Sequence, residues 1–226
     1  MLSSVRSASS RILLTAGLVA ASLALVPAAG HATPAFPIPI GAARHLLVGT
    51  VVTVAGTVSV PSGVFSSSFF DEGFAVEDFT GGIYVSMADN LGLQYRQKAT
   101  VTGTLAGSGG LLVLIPASDS DVRVHGRGPN VEPVFVRTGD IGEATEGLIV
   151  QVVGTVTRTE GDLPYGNKVF VNDGSGEIRV YINLGTGIDF SQFAAGQHLS
   201  VTGFSGQFGD YEIDVRFPSD MHIRVH

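Results

Sequence analysis

From residue 49 onward the chain alternates. Val52, Val54 and Val58 are interleaved with Thr53, Ala55 and Thr57, and Val150, Val152 and Val156 repeat the pattern. An apolar face at period two predicts strands with one side turned to a core. Gly56 and Gly154 fall mid-strand on that inward side, which predicts a bulge or a sharp bend. "GFAVEDFTGGIYVSM" (Gly73–Met87) and "VFVNDGSGEIRVYI" (Val169–Ile182) read as hairpins, with Asp and Gly supplying the turns. The stretches that follow, "MADNLGLQYRQ" and "NLGTGIDFSQFAAGQ", are less regular. Asp189 or Ser191 as N-cap and Gly196 as stop predict a short helix or helical turn at one barrel end. A "VTG" strand, a Gly-rich hairpin loop and a fifth strand complete each pattern. In "YEIDVRF", Tyr211, Ile213, Val215 and Phe217 are expected inward, and Glu212, Asp214 and Arg216 outward.

The pattern occurs twice. "GTVVTVAGTVSV" (Gly49–Val60) matches "GLIVQVVGTVTR" (Gly147–Arg158) at an offset of 98, and the hairpins match at 95. "KATVTGT" and "HLSVTGF" match at 100, and "SDSDVRVH" and "SDMHIRVH" at 101. The same order with drifting offsets indicates a duplicated domain with loop insertions. "HGRGPNVEPV" (His125–Val134) has the Gly and Pro content of a linker. The reading is residues 33–128 as module one and 129–226 as module two.

Residues 1–32 read as a secretory signal peptide. Arg6 and Arg11 precede an apolar run, Ile12–Val26, and Gly30 and Ala32 suit a cleavage site. The run is shorter than the roughly 20 residues of a membrane span. The mature protein is therefore expected in the periplasm or outside the cell, with no membrane insertion. Losing Arg6 and Arg11 takes the net charge from −7 to −9. Such a charge argues against strong nonspecific nucleic-acid binding. With no cysteine, disulfides and thiolate zinc sites are excluded, so stability rests on packing.

Five strands with a short helical element between the third and fourth resemble the OB-fold, a Greek-key barrel. The phrases "V.V.GTV", "F.V.D.(S/T)G.I.V" and "G....VTG" are similar to OB-fold modules of secreted bacterial proteins, including those accompanying extracellular nucleases. The resemblance implies an all-β chain of two tandem five-stranded OB-fold barrels. A sandwich would need about seven strands in each module.

An OB barrel binds with the outer face of strands two and three and nearby loops. In module two alternation turns Lys168, Phe170, Asn172, Arg179 and Tyr181 outward, and "GDLPYGN" adds Tyr165. Cations beside aromatics can hold phosphates by charge and bases or sugars by stacking. In module one the same positions are Gly73, Ala75, Glu77, Tyr84 and Ser86, a poorer face with Tyr84 as its aromatic. Candidate ligand-binding residues are thus Lys168, Phe170, Arg179, Tyr181, Tyr165 and Tyr84. "VFSSSFFDEG" is expected to expose Phe65, Phe69 and Phe70. Arg179→Ala and Tyr181→Ala should then barely alter stability. The competing reading is that outward cations discourage edge pairing and that Phe170 and Tyr181 are covered.

Metal chemistry finds little footing. His222 and His226, like Asp121 and His125, are four apart, which on a strand spans about 13 Å, too far for one ion. No nucleophile elbow or phosphate loop occurs. The sequence therefore predicts no enzyme, no cofactor and no metal. The expected partner is single-stranded nucleic acid, the alternative an envelope protein or a glycan.

Overall fold

Each run of alternating valines forms a long strand that opens a sheet. The structure, a computed structural model, describes residues 36–224, so the signal-peptide reading and His226 lie outside the described residues. A one-turn helix, α1 (Ile40–Ala43), precedes the first sheet. That sheet contains β1 (Val51–Val60), β2 (Phe74–Asp78), β3 (Gly81–Val85), β4 (Gln97–Ser108), β5 (Leu111–Ile115) and β6 (Val122–Arg127). The second contains β7 (Val134–Phe135), β8 (Ile149–Asp162), β9 (Gly166–Asn172), β10 (Glu177–Asn183), β11 (His198–Phe208), β12 (Asp210–Asp214) and β13 (Met221–Ile223). The described chain is all-β apart from α1 and single 3-10 turns.

The pairings of the two sheets correspond. β1 pairs β2, β2 pairs β3, β3 runs parallel to β5, β5 pairs β4, and β4 returns to β1. β8, β9, β10, β12 and β11 repeat that circuit, again with one parallel pair, β10 and β12. β6 and β13 add an antiparallel strand outside β4 and β11. The inward valines form two cores. Val52, Val54, Val58, Phe74, Val76, Ile83 and Val85 belong to one, and Val150, Val152, Val156, Val169, Val171, Ile178 and Val180 to the other.

Three expectations are corrected. The mid-strand glycines do not mark the bulges. A Cβ on Gly56 would lie 2.8 Å from the Glu77 carbonyl oxygen, and one on Gly154 2.8 Å from the Asn172 carbonyl carbon. Close backbone approach requires these glycines, and the register shifts fall between Val58 and Val60 and between Val156 and Arg158. Second, no helix follows β3. Gly92 and Arg96 take positive φ there, and Asn90 forms a local turn by accepting from the Gly92 N–H at 2.9 Å. Met87 and Leu93 still reach the first core. After β10 the helical element is two 3-10 turns, Leu184–Thr186 and Phe190–Gln192, with Phe193 in the second core. Third, the "YEIDVRF" strand ends at Asp214, and Glu212, Asp214 and Arg216 are buried although they point away from the core.

What buries them is the seam between the sheets, whose described residues share one compact unit. Phe65, Ala75, Tyr84, Leu111 and Val113 pack with Ile149 and Phe204 in a third cluster. Phe65 and Phe204 ring centroids lie 5.5 Å apart, and Tyr84 and Phe204 6.3 Å. Each fully buried aromatic of this kind contributes about 1.5–3 kcal/mol over exposure. Polar contacts fix the register of the seam. The Ile149 N–H donates to Glu77 Oε2 at 3.0 Å, and the Arg44 guanidinium meets Glu146 Oε1 at 2.8 Å. Arg216 donates to the Ser59 carbonyl at 2.9 Å while paired with Asp220. Gly82 and Gly147 touch so closely that a Cβ on either would collide with the other's carbonyl.

Candidate functional site

The register of the second sheet sets six side chains on one face in two cross-strand rows. Lys168, Tyr181 and Asp214 are neighbours across β9, β10 and β12, as are Phe170, Arg179 and Glu212. Loop residues 65–70 lie over this face and make it one wall of a cleft of about 390 Å³. Phe70, Tyr165, Tyr181 and Phe208 line the cleft, with Lys168, Arg179, Asp162, Glu212, Asp214 and Asn183. Four of the predicted residues therefore converge there: Lys168, Arg179, Tyr181 and Tyr165.

Two candidates are withdrawn. Tyr84 is fully buried. The outward face of the first sheet is the side that packs against Ile149 and Phe204, and the Tyr84 hydroxyl donates to Asp71 Oδ1 at 2.7 Å. Burial and the Asp71 carboxyl push its ionisation well above the ordinary tyrosine value. Phe170 is buried under Arg158, whose guanidinium carbon sits 3.2 Å from the ring centroid. That stack is a cation–π contact, and it leaves no ring face for a ligand. Phe65, expected exposed, is buried in the seam, whereas Phe69 and Phe70 are exposed.

The cations of the cleft are already paired. Lys168 Nζ lies 3.1 Å from Asp162 Oδ2, and Arg179 Nε lies 2.6 Å from Glu212 Oε2. Arg179 also donates to the Phe208 carbonyl at 3.0 Å, and the Tyr181 hydroxyl donates to Asp162 Oδ2 at 3.2 Å. Arg179→Ala would strand the buried Glu212. The expectation of an unperturbed fold is thus corrected to a loss of about 3–5 kcal/mol. Burial raises the pKa of Glu212, against the lowering effect of Arg179. Asp214 stands well above the ordinary carboxyl value, first through burial and then through the Glu212 charge. A protonated Asp214 can both donate and accept a hydrogen bond.

The loop over the face is braced from below. Asp71 accepts from the Ser67 N–H at 3.0 Å, from the Ser67 hydroxyl at 2.7 Å and from the Ser86 hydroxyl at 2.5 Å. Phe70 is held at φ 56°, in the left-handed region that bulky residues avoid, with its ring 76% exposed. Strain of this kind persists where the surroundings over-determine a conformation, often at ligand clamps. Sequence reasoning named Phe70 only as a loop aromatic, and missed Phe208 and Asp162. Nothing local signals Phe208, at the β11–β12 turn, because its place depends on how the sheets meet. Among the described residues, no group of three or more His, Asp or Glu could hold a metal ion. No described helix is long and apolar enough to cross a membrane.

No protein-family model matches the sequence, and no curated protein matches it. Among solved structures the chain is similar to an OBody, AM1L10, bound to hen egg-white lysozyme. Identity there is 24% over 43% of this chain and 100% of the other, with a TM-score of 0.35. A murine DNA-binding protein bound with double-stranded DNA is 12% identical, over 77% of this chain and 97% of that one, at 0.39. A replication protein A heterotrimer bound to single-stranded DNA is 16% identical, over 80% and 51%, at 0.35. Likenesses with TM-scores this low carry no argument about the ligand.

Proposed function

We propose that this is a secreted, non-catalytic binding protein of two OB-fold modules, and that its ligand is single-stranded nucleic acid. The supporting observation is the convergence of Phe70, Tyr165, Tyr181 and Phe208 on one cleft. Aromatic faces hold bases of any sequence, at about 1–3 kcal/mol each. The paired cations limit what else the cleft does. Lys168 and Arg179 are committed to Asp162 and Glu212, so the cleft contributes stacking and hydrogen bonds rather than phosphate charge. Its share of the affinity is therefore insensitive to salt. Asp214 and Asn183 offer polar atoms to a base edge.

A sugar ring is the second reading. Three carboxyl side chains against two paired cations suit an uncharged polyol better than a polyphosphate. Fluorescence anisotropy with a labelled oligodeoxythymidine, beside a panel of neutral oligosaccharides, separates the two. The nucleic-acid reading expects Tyr165→Ala and Phe70→Ala each to weaken oligonucleotide binding by about 5- to 100-fold, in line with one lost stacking contact. Both side chains are exposed, so melting temperature should hardly move. Undiminished oligonucleotide binding in both variants would reject the cleft as the site. Binding of a glycan with those same losses would transfer it to the sugar.

A further inference from the structure

The cations of this acidic protein are not evenly disposed. Of the eleven Lys and Arg among the described residues, six sit in ion pairs: Arg44, Arg137, Arg158, Lys168, Arg179 and Arg216. The other five, Arg96, Lys98, Arg123, Arg127 and Arg224, form none among the described residues. Four of these five gather on or beside β4 and β6. Arg96 directly precedes β4, Lys98 lies on it, and Arg123 and Arg127 lie on β6. The fifth, Arg224, follows β13, which borders β11 as β6 borders β4. With 20 acids in the chain, partners were plentiful, and four of the five cations left without one lie along the same edge, the fifth following the corresponding strand of the other sheet.

Protection of an open edge explains part of this. β6 pairs only with β4 among the described strands, and charged residues on such an edge discourage pairing with another chain. That account reaches Arg123 and Arg127. It does not reach Lys98, whose strand is paired on both sides, with β1 and β6. Nor does it reach Phe79, at the β2–β3 turn, which is 97% exposed. Phe79, Lys98, Thr100 and His125 line one depression of about 730 Å³, closed on another side by residues 129–132. Register places Thr100 opposite Arg123, and the His125 ring bonds the Thr100 hydroxyl at 2.9 Å. Lys98, Thr100, Arg123 and His125 therefore share one outward face. Three acids also line the depression. Asp78 is engaged by the N–H groups of Ile40, Thr80 and Gly81, and Glu77 by that of Ile149. Glu132 lies exposed on the linker side.

We infer that the β4–β6 edge is a second binding surface, on which Lys98, Arg123 and Arg127 track the phosphates of a single-stranded nucleic acid while Phe79 stacks a base. Unpaired cations beside an exposed ring are the combination such ligands use, and threonine hydroxyls commonly reach phosphate oxygens. An anionic membrane or a sulfated polysaccharide would use the cations and leave Phe79 idle. The surface takes its ligand class from the proposed function but does not depend on the cleft.

Anisotropy of a labelled 20-residue oligodeoxythymidine, titrated with the purified protein between 25 and 300 mM salt, tests this. Each neutralised phosphate contributes a slope of about −0.7 in log K against log salt, so three cations predict about −2. Lys98→Glu with Arg123→Glu should weaken binding at least tenfold at 25 mM salt and flatten the slope to about −1 or less. Phe79→Ala should weaken binding and leave the slope unchanged. Tyr165→Ala, in the cleft, should likewise leave the slope unchanged. An unaltered slope and affinity in the double variant would overturn the inference, whatever the cleft variants do. Losses confined to the double variant and Phe79→Ala would sustain it and reject the cleft. No oligonucleotide binding, or tighter binding to heparin or anionic vesicles that Phe79→Ala does not disturb, would overturn the nucleic-acid assignment of this edge.

Discussion

Glu77 makes the stability of the seam depend on pH. It sits half-buried on β2 and accepts the Ile149 N–H across the seam. Burial, the largest cause, raises its pKa from 4.5 to about 7, against the lowering effects of that hydrogen bond and of Arg216; Asp78 adds to the rise. The folded state thus holds a proton that the unfolded chain releases between pH 4.5 and 7. Stability must fall as pH rises through that window. The gap amounts to about 3 kcal/mol at 1.36 kcal/mol per pH unit. Glu212 and Asp214 are raised as well and act with the same sign. Asp173 and Asp189, lowered by hydrogen bonds from Ser175 and Ser191, act oppositely at more acid pH. Comparing Glu77→Gln with the parent protein removes these shared contributions. The amide keeps an acceptor for Ile149 and cannot ionise. In urea denaturation from pH 4 to 9, the variant should match the parent below pH 4.5 and gain progressively above it. The gain should approach about 3 kcal/mol by pH 8. A difference between the two proteins that does not vary with pH would refute the assignment.

Two further outcomes follow from the seam. Tyr84→Phe removes a donor from the buried Asp71 carboxyl and should cost about 1–3 kcal/mol; urea denaturation that shows no loss would mean the serines alone satisfy Asp71. Phe204→Ala opens a cavity beside Phe65 and Tyr84 and should cost about 3–5 kcal/mol, with a thermal shift under one degree counting against the packing described.

The inward valines and the duplicated hairpins were legible because period-two alternation depends only on local backbone geometry. Val169, Val171, Ile178 and Val180 could be assigned to the core one by one. The outward positions could not be judged in the same way. Alternation says that Ala75 and Tyr84 leave the first core, and it is silent on the second surface they meet. Tyr84 was therefore misjudged, as was Phe170, whose cover is Arg158 from a neighbouring strand. Lys168, Arg179, Tyr181 and Tyr165 come together in the cleft, but the pairing of Lys168 with Asp162 and of Arg179 with Glu212 was not foreseen. Those acids lie on other strands, and no spacing rule links them. The linker sequence does not fix how the modules are oriented, whereas Glu77, Arg44 and Arg216 tie the sheets together across contacts remote in sequence.

Why one hairpin face became a seam and its counterpart a cleft follows from a few side chains. The first face offers Ala75, Tyr84 and Ser86. Its hydroxyls find an acceptor in Asp71, at 2.7 and 2.5 Å, and Glu77, beside them, accepts the Ile149 N–H and is pushed up in pKa by its burial. The second face carries Lys168 and Arg179. Closing a protein surface over two charges costs several kcal/mol for each ion even after relaxation, and Asp162 and Glu212 offset that only in part. The chain carries the same hairpin twice, and the copy without cations is the one buried in the seam. The charged copy stays accessible under a strained loop from its neighbour. The neighbour in turn keeps Lys98, Arg123 and Arg127 exposed to solvent on β4 and β6.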